Sequence, residues 1–150
     1  KGLASGYPIS AVLFREELGS WPPGAHGTTF GGQAVAAAAA HATLDLLEGG
    51  LQENAARLGE FLLAELRALK RRFPFLGDVR GRGLMIGLDF GDPDHPQPDL
   101  RDKAVRLAFE KGLLLLPAGP SALRIAPPLV LTQEEAALGL EILEEVFRAL

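Results

Sequence analysis

Lys1 begins the segment Lys1-Gly-Leu-Ala-Ser-Gly-Tyr-Pro8, in which a primary amine is followed by flexible glycines. A lysine held next to a cofactor can act as an amine nucleophile and form a Schiff base. Taken by itself, a lysine at the start of a chain is ordinarily a solvated residue. The segment is therefore a candidate catalytic site only in combination with other motifs.

A second candidate is the segment His26-Gly-Thr-Thr-Phe-Gly-Gly32, which leads into an alanine-rich stretch. Backbone N–H groups at the start of a helix, together with the hydroxyls of Thr28 and Thr29, can bind a phosphate or a carboxylate. The alternative is that the two threonines only cap the helix or bond within the turn. The residues alone leave both interpretations open.

A third candidate is the pair Arg80 and Arg82 in Val79-Arg-Gly-Arg-Gly83. The planar guanidinium of arginine binds a carboxylate through two parallel hydrogen bonds, and neighbouring glycines leave room for a ligand. The competing interpretation is an arginine pair on the surface that binds nothing. Either way, the segment leads into a run of apolar residues.

Several other kinds of chemistry are excluded by the sequence. There is no cysteine, and the histidines His26, His41 and His95 do not have zinc-ligand spacing. The segment Gly81–Gly87 has the wrong spacing for a dinucleotide-binding loop and precedes a strand, whereas such a loop follows one. The acidic residues within 92–99 are typical of a solvated turn. The sequence therefore predicts no metal site and no nucleotide-phosphate loop.

Composition narrows the possible partners. The chain has 150 residues, 15 lysines and arginines against 19 aspartates and glutamates, and a net charge of −4. A net acidic chain without a basic run is not expected to bind nucleic acid or an anionic membrane. No apolar run has the length of a membrane span. The absence of cysteine fits a reducing compartment, so we expect a cytoplasmic protein.

The first half of the chain is predicted to contain one strand and two helices. The apolar run Ile9–Phe14 has the length of a buried strand. The alanine-rich stretch predicts a helix from about Gln33 to Glu48, followed by two glycines. From Leu51, apolar residues recur at steps of three and four, which indicates a long amphipathic helix that ends before Pro74.

In the second half, short strands alternate with helices. Leu84–Phe90 is predicted to be a strand, and a proline-rich loop follows it. Asp99 is expected to cap a helix that runs to about Lys111 and ends at Gly112.

The last part of the chain is predicted to form a hairpin and a final helix. Leu113–Leu116 and Leu123–Ala126 are expected to pair as antiparallel strands around a five-residue loop, Pro117–Ser121. Thr132, with Glu135 three residues later, predicts a capping box. The resulting fold class is α/β, with a small α+β domain of about three short strands and helices packed on the sheet.

The order of four motifs resembles the C-terminal portion of the class III (omega) aminotransferases, such as the 4-aminobutyrate and acetylornithine aminotransferases. The motifs are Lys1–Pro8, His26–Gly32, Asp78–Gly87 and Leu123–Leu129, and together they extend over nearly the whole chain. This resemblance implies the C-terminal part of the type I pyridoxal-phosphate fold. Residues 1–50 would be the end of the large cofactor-binding domain with a linker helix, and residues 51–150 the small C-terminal domain.

The resemblance also implies roles for single residues. Lys1 matches the lysine that binds pyridoxal 5′-phosphate covalently and moves a proton between the substrate Cα and the cofactor. Thr29 matches a threonine that bonds the cofactor phosphate of the neighbouring subunit, and Thr28 is a further cofactor-binding candidate. Arg80 matches an arginine that binds a substrate carboxylate, whereas Arg82 lies where the family varies.

The function implied is transfer of an amino group from an amino acid, often a terminal amine, to a 2-oxo acid, in a homodimer or higher homo-oligomer. The chain begins with lysine rather than methionine, and we expect the residues that complete the cofactor site upstream, so this piece alone should be inactive. Alternatives are an aminomutase or decarboxylase-like relative of the same family, and a non-catalytic α+β binding or oligomerisation module. A coding region of about 250 to 300 residues upstream would favour the enzyme.

Overall fold

The computed structural model describes residues 2–150, which form two compact units divided between Gly50 and Leu51. The first unit contains one helix, α1 (Ala34–Leu46), and a 3₁₀ turn, Glu16–Leu18. The chain is kinked between α1 and α2, within Leu47–Leu51. The second unit contains α2 (Gln52–Arg72), β1 (Leu76–Arg82), β2 (Met85–Phe90), α3 (Pro98–Glu110), β3 (Leu116–Ala118), β4 (Ala122–Ile125) and α4 (Gln133–Arg148).

Helix α1 of the first unit follows the predicted alanine-rich stretch. Alanine has the highest helix propensity, and Ala36 and Ala40 are its buried residues, one turn apart on the same face. The helix prediction is confirmed. Helix α1 is followed by a kink at Gly50, which has a φ of 122°, a conformation that favours glycine.

The predicted strand Ile9–Phe14 is wrong. The structure contains no strand there, and Leu13 within it is 98% exposed. A strand needs a neighbouring strand for its backbone N–H and C=O groups, and no other strand lies within the described residues of the first unit.

A four-stranded antiparallel sheet forms the centre of the second unit, in the order β1-β2-β4-β3. Strands β1 and β2 pair with Val79 opposite Leu88, and β2 and β4 pair with Leu88 opposite Leu123. These three residues are buried on one face of the sheet. Because side chains alternate along a strand, the neighbouring residues point to the opposite face.

The helices of the second unit pack on the apolar face of the sheet. Helix α2 contributes a stripe of leucines, as its spacing predicts, and α4 contributes Leu143, Val146 and Phe147 to the same core. The stripe is formed by Leu58, Leu62, Leu66 and Leu69. Burial of these side chains is the main source of stability for this unit.

The sheet has four strands, whereas about three were expected. The additional strand is β1, which the sequence analysis treated only as an approach to a strand. The hairpin is also shifted, since β3 and β4 enclose a loop of residues 119–121 rather than the predicted five-residue loop.

Two predicted helix caps have different outcomes. Asp99 does not cap α3, because Gln97 is the N-cap and Pro98 occupies the first turn, where proline lacks an N–H that would need a partner. Thr132 caps α4 as predicted: its hydroxyl accepts a hydrogen bond from the Glu135 N–H, and the Glu135 carboxylate accepts one from the Thr132 N–H. No helix in residues 2–150 is both long enough and apolar enough to cross a membrane.

Candidate functional site

Lys1, the predicted cofactor lysine, lies outside the described residues, and its role stays a prediction. The segment that follows it is anchored on α1 within the first unit. Ser5 has a φ of 48°, uncommon for a residue other than glycine, and its hydroxyl lies 3.0 Å from the hydroxyl of Thr43. The Thr43 hydroxyl in turn donates to the Ala39 carbonyl at 2.8 Å.

The two predicted cofactor threonines lie in a tight exposed turn before α1. A Cβ at Gly31 would lie 2.4 Å from the Thr28 methyl group, and Gly32 has a φ of 71°. The backbone at Gly32 therefore favours glycine, whereas a side chain at Gly31 would require the Thr28 side chain to move. The Gln33 N–H donates to the Phe30 carbonyl at 3.3 Å, and this bond closes the turn directly before the helix.

This turn forms one side of an open depression of about 660 Å³ in the first unit. The lining residues are Pro8, Ile9, Ser10, His26, Thr28, Phe30, Gly31, Gly32 and Gln33. They supply hydroxyl, imidazole and carboxamide groups and no carboxylate, and α1 begins with backbone N–H groups that have no partner within the helix. This set of donors fits an anionic group such as a phosphate.

The third candidate, Arg80, lies on the face of the sheet opposite the helices. The register places Arg80 opposite Gly87 on β2, and Gly87 opposite Arg124 on β4. Gly87 has no side chain, and nothing lies within 4 Å of the position that a Cβ would occupy there. The two arginines thus lie in one row across three strands with open space between them, which we call the arginine row.

Arg80 is engaged by two carboxylates of the same sheet face. Its Nη1 lies 3.0 Å from an oxygen of Asp78, and its guanidinium forms two hydrogen bonds with Asp89. Asp78 and Asp89 are directly opposite each other on β1 and β2, so two like charges face each other. The hydrogen bond from Arg80 lowers the pKa of Asp78, and the bond with Asp89 raises the pKa of Arg80.

Arg124, in the motif Leu123–Leu129, was given no role in the sequence analysis. It lies between the buried Leu123 and the partly buried Ile125, so strand alternation directs it to the open face. No carboxylate of residues 2–150 forms an ion pair with it. The alternation of apolar and charged residues was the signal, but the row with Arg80 depends on the register and could not be read from the sequence.

Two further observations bear on the other predictions. Arg82, opposite Met85 at the end of β1, is exposed on the same face as Arg80. In the part of the chain that the structure describes, no three histidine, aspartate or glutamate side chains are grouped as ligands of a metal ion.

Comparison with known proteins gives a consistent result. Residues 1–147 match the family described as aminotransferase class-III. The chain is 42% identical to an acetylornithine aminotransferase from Bacillus subtilis, over 91% of the chain and 34% of that protein. It is 41% identical to an alanine/serine racemase from Pyrococcus horikoshii, over 99% of the chain and 32% of that protein.

A solved aminotransferase structure also resembles this chain. An amine transaminase from an uncultivated Pseudomonas species, solved in its pyridoxal-phosphate-bound form, superposes with a TM-score of 0.74 at 39% identity. It matches 83% of this chain and 30% of that structure. The predicted fold, the C-terminal part of this type of aminotransferase, is confirmed. The chain spans about a third of the length of the curated relatives that it matches.

Proposed function

Because the chain belongs to the class III aminotransferase family, we propose that the protein containing it uses pyridoxal 5′-phosphate to transfer an amino group from an amino acid, often a terminal amine, to a 2-oxo acid. The observation that carries this proposal is the family match over residues 1–147, which includes the lysine, threonine and arginine motifs in order. The proposal includes a homodimer or higher homo-oligomer in the cytoplasm.

The cofactor, when bound, withdraws electrons from the substrate Cα and so makes its proton removable. Lys1 is proposed to hold the cofactor covalently through its Nζ and to accept the proton from the substrate Cα. Thr29, with Thr28 beside it, is proposed to donate hydrogen bonds to the phosphate held by the neighbouring subunit. The carboxylate-free depression is lined by Thr28 and not by Thr29, so it supports an anion site at this turn, whereas the role of Thr29 rests on the family motif.

The substrate carboxylate is proposed to bind on the arginine row. Arg80 is the residue implied by the family motif, and it shares its guanidinium with Asp78 and Asp89. Arg124 lies in the same row without an ion-pair partner among the described residues. Its guanidinium is therefore the stronger ligand for a carboxylate.

A second candidate reaction is racemisation of a small amino acid. The observation that favours it is the 41% identity to the alanine/serine racemase, which is nearly equal to the 42% identity to an acetylornithine aminotransferase. The two reactions are separated by incubating the full-length protein with L-alanine, with and without 2-oxoglutarate. Pyruvate that forms only with 2-oxoglutarate indicates transamination, whereas D-alanine that forms without it indicates racemisation.

Lys1 is tested by borohydride reduction of the cofactor-loaded full-length protein, followed by peptide mapping. We expect the pyridoxyl label on Lys1, and we expect Lys1→Ala to abolish transamination. The other lysines of the chain, Lys70, Lys103 and Lys111, are internal controls. A label on any of them would contradict the role of Lys1, and a protein that takes up no label would support a non-catalytic module. The 150-residue chain alone is expected to be inactive.

The arginine row is tested by single substitutions to lysine, which keep the charge and lose the planar guanidinium that can form two parallel hydrogen bonds. Arg124→Lys is expected to weaken binding of the 2-oxo acid by about 1.5 to 3 kcal/mol, Arg80→Lys by less, and Arg82→Lys by least. The measurement is the KM for 2-oxoglutarate beside kcat. Equal effects at Arg82 and Arg124 would contradict this placement of the carboxylate.

A further inference from the structure

Arg101 on α3 is the buried charged residue of the second unit that the proposed function does not use. It is 7% exposed, and among the residues that the structure describes no other charged residue is buried. Arginine keeps its charge at all physiological pH values, so it cannot avoid the cost of burial by losing a proton. Its burial therefore depends on the groups that its guanidinium binds.

The guanidinium of Arg101 binds one carboxylate and two backbone carbonyls. Its Nε donates to Asp102 Oδ1 at 2.5 Å, and the Asp102 side chain is 63% exposed. Its Nη1 donates to the Ala122 carbonyl at 3.0 Å and lies 3.5 Å from the Ala118 carbonyl. The ion pair thus lies towards the surface, whereas the bonds to the backbone lie inside.

The two carbonyls belong to the two ends of the β3–β4 hairpin loop. Ala118 and Ala122 are paired residues of β3 and β4, and they enclose residues 119–121. One nitrogen of Arg101 therefore bridges both sides of the loop. A second contact holds the loop to β2, where the Phe90 N–H donates to the Ser121 carbonyl at 3.0 Å. Arg101 thus ties α3 to the loop end of a hairpin that is otherwise held by the pairing of β4 with β2.

The hairpin contains one residue of the arginine row, Arg124, and borders a groove that includes the other, Arg80. Arg124 follows Ala122 by two residues on the same strand and hence on the same face of the sheet. Residues 118–122 also form one wall of a groove of about 410 Å³ that includes Arg80 and Asp89. A shift of the hairpin would therefore change both the width of this groove and the position of the Arg124 guanidinium.

We propose that Arg101 is a positioning residue that holds the β3–β4 hairpin, and with it Arg124, where the arginine row binds a substrate carboxylate. The part that concerns the carboxylate depends on the proposed function, whereas the clamp on the hairpin stands on the contacts of Arg101 alone. The residue acts from inside the sheet, through backbone carbonyls, and does not touch the ligand itself.

The clamp is tested by amide hydrogen exchange on the full-length protein. In Arg101→Gln the amides of Gly119 and of residues 121–124 are expected to exchange at least tenfold faster than in wild type, while the amides of α2 keep their rates. Arg101→Lys retains the charge and one donor nitrogen, so its exchange rates should lie between those of wild type and Arg101→Gln. Arg106→Gln is the matched control, because it removes the same charge from an exposed position of the same helix.

The positioning role is tested by kinetics of the full-length protein. Arg101→Gln is expected to raise the KM for 2-oxoglutarate about tenfold while kcat changes less than threefold, and Arg101→Lys should restore part of the affinity. A variant that is only less stable would lose active enzyme, so kcat would fall and KM would not rise.

The exchange and kinetic results distinguish the clamp on the hairpin from the positioning role in carboxylate binding. Unchanged exchange at Gly119 and residues 121–124 in Arg101→Gln would overturn the clamp. Faster exchange with an unchanged KM would overturn the positioning role. A wild-type protein without transamination would overturn the proposed function and the carboxylate role with it, while the exchange measurement would still decide on the clamp.

Discussion

The two units of the chain differ in what they bury. Residues 51–150 bury large apolar side chains from α2 and α4 and from β1, β2 and β4, whereas the buried apolar residues of 2–50 are Ala4, Ala36 and Ala40. In the first unit Leu13 and Phe30 are 98% and 79% exposed. The second unit therefore has a hydrophobic core of its own, and the first does not.

The predicted cofactor-binding residues lie in a different unit from the hydrophobic core. Lys1, Thr28 and Thr29 all belong to the unit with little buried apolar surface, whereas the arginine row lies on a sheet whose other face is packed by helices. Thr28 and Thr29 therefore lie in the unit that exposes its large apolar side chains.

The largest expected difference is between two leucines, one from each unit. Leu66→Ala removes a fully buried side chain from α2 and should lower the free energy of unfolding by about 2 to 5 kcal/mol. Leu13→Ala makes the same chemical change at a 98% exposed position and should alter it by less than about 0.5 kcal/mol. Urea denaturation followed by circular dichroism measures both values. Equal losses would contradict the division between the units.

Thr29→Ala tests whether a residue of the first unit contributes to cofactor binding without affecting the unfolding free energy of the second unit. Loss of one hydroxyl leaves a phosphate acceptor unpaired, which should weaken cofactor retention by about 1 to 3 kcal/mol in the full-length protein. Thr28→Ala should have a milder effect. Both retention constants can be measured by cofactor release on dilution. Urea unfolding of the second unit should not change, and a parallel loss of its stability would contradict the separation.

The proposed sharing of Thr29 between subunits has its own test. In a mixed dimer of Thr29→Ala and Lys1→Ala subunits, one site carries both defects and the other carries none, if Thr29 serves the neighbouring Lys1. At a dilution at which Thr29→Ala dimers lose their cofactor, mixing them with the inactive Lys1→Ala subunits should then restore part of the activity. A wild-type protein that is fully active as a dilute monomer would refute the shared site.

Elements with a strong apolar period could be predicted from the sequence, and elements defined by pairing could not. Helix α2 and the capping box of α4 follow from local patterns of residues. Strand β1 contains two glycines, two arginines and an aspartate, and it was missed because its strand character comes from pairing with β2. The run Ile9–Phe14 has a strand-like composition but no partner in the described residues.

The same distinction applies to the candidate site. The motif around Arg80 was recognised from residue types, but its bonds with Asp78 and Asp89 depend on the β1–β2 register. The register also puts Arg124 in the same row, although the two arginines are far apart in the sequence. Residue types thus indicated candidate ligands, while strand pairing decided which of them have neighbours.

A smaller expected effect compares the N-cap residues of two helices. Thr132→Ala removes the hydroxyl of the capping box and should cost about 1 kcal/mol of stability in the second unit. Gln33 is the N-cap of α1 but makes no capping hydrogen bond through its side chain, so Gln33→Ala should have almost no effect. Thermal unfolding of the 150-residue chain compares the two. An equal loss at Gln33 would show a contribution of the first unit that its contacts do not explain.

The smallest expected effect is a gain of stability at Gly139, in the interior of α4. Gly139 lines an apolar cavity of about 90 Å³ in the second unit, and a Cβ there would contact only Leu113 Cδ1, at 3.9 Å. Alanine would add apolar contact and has the higher helix propensity, so Gly139→Ala should stabilise the chain by about 0.5 to 1 kcal/mol.

Gly59 in α2 is the matched control, because a Cβ there would lie 2.3 Å from the Gly83 carbonyl oxygen. Gly59→Ala should therefore destabilise the chain although it makes the same change within a helix. Urea denaturation gives the sign of both effects, and a loss at Gly139 would mean that the core of the second unit leaves no room for the added methyl group.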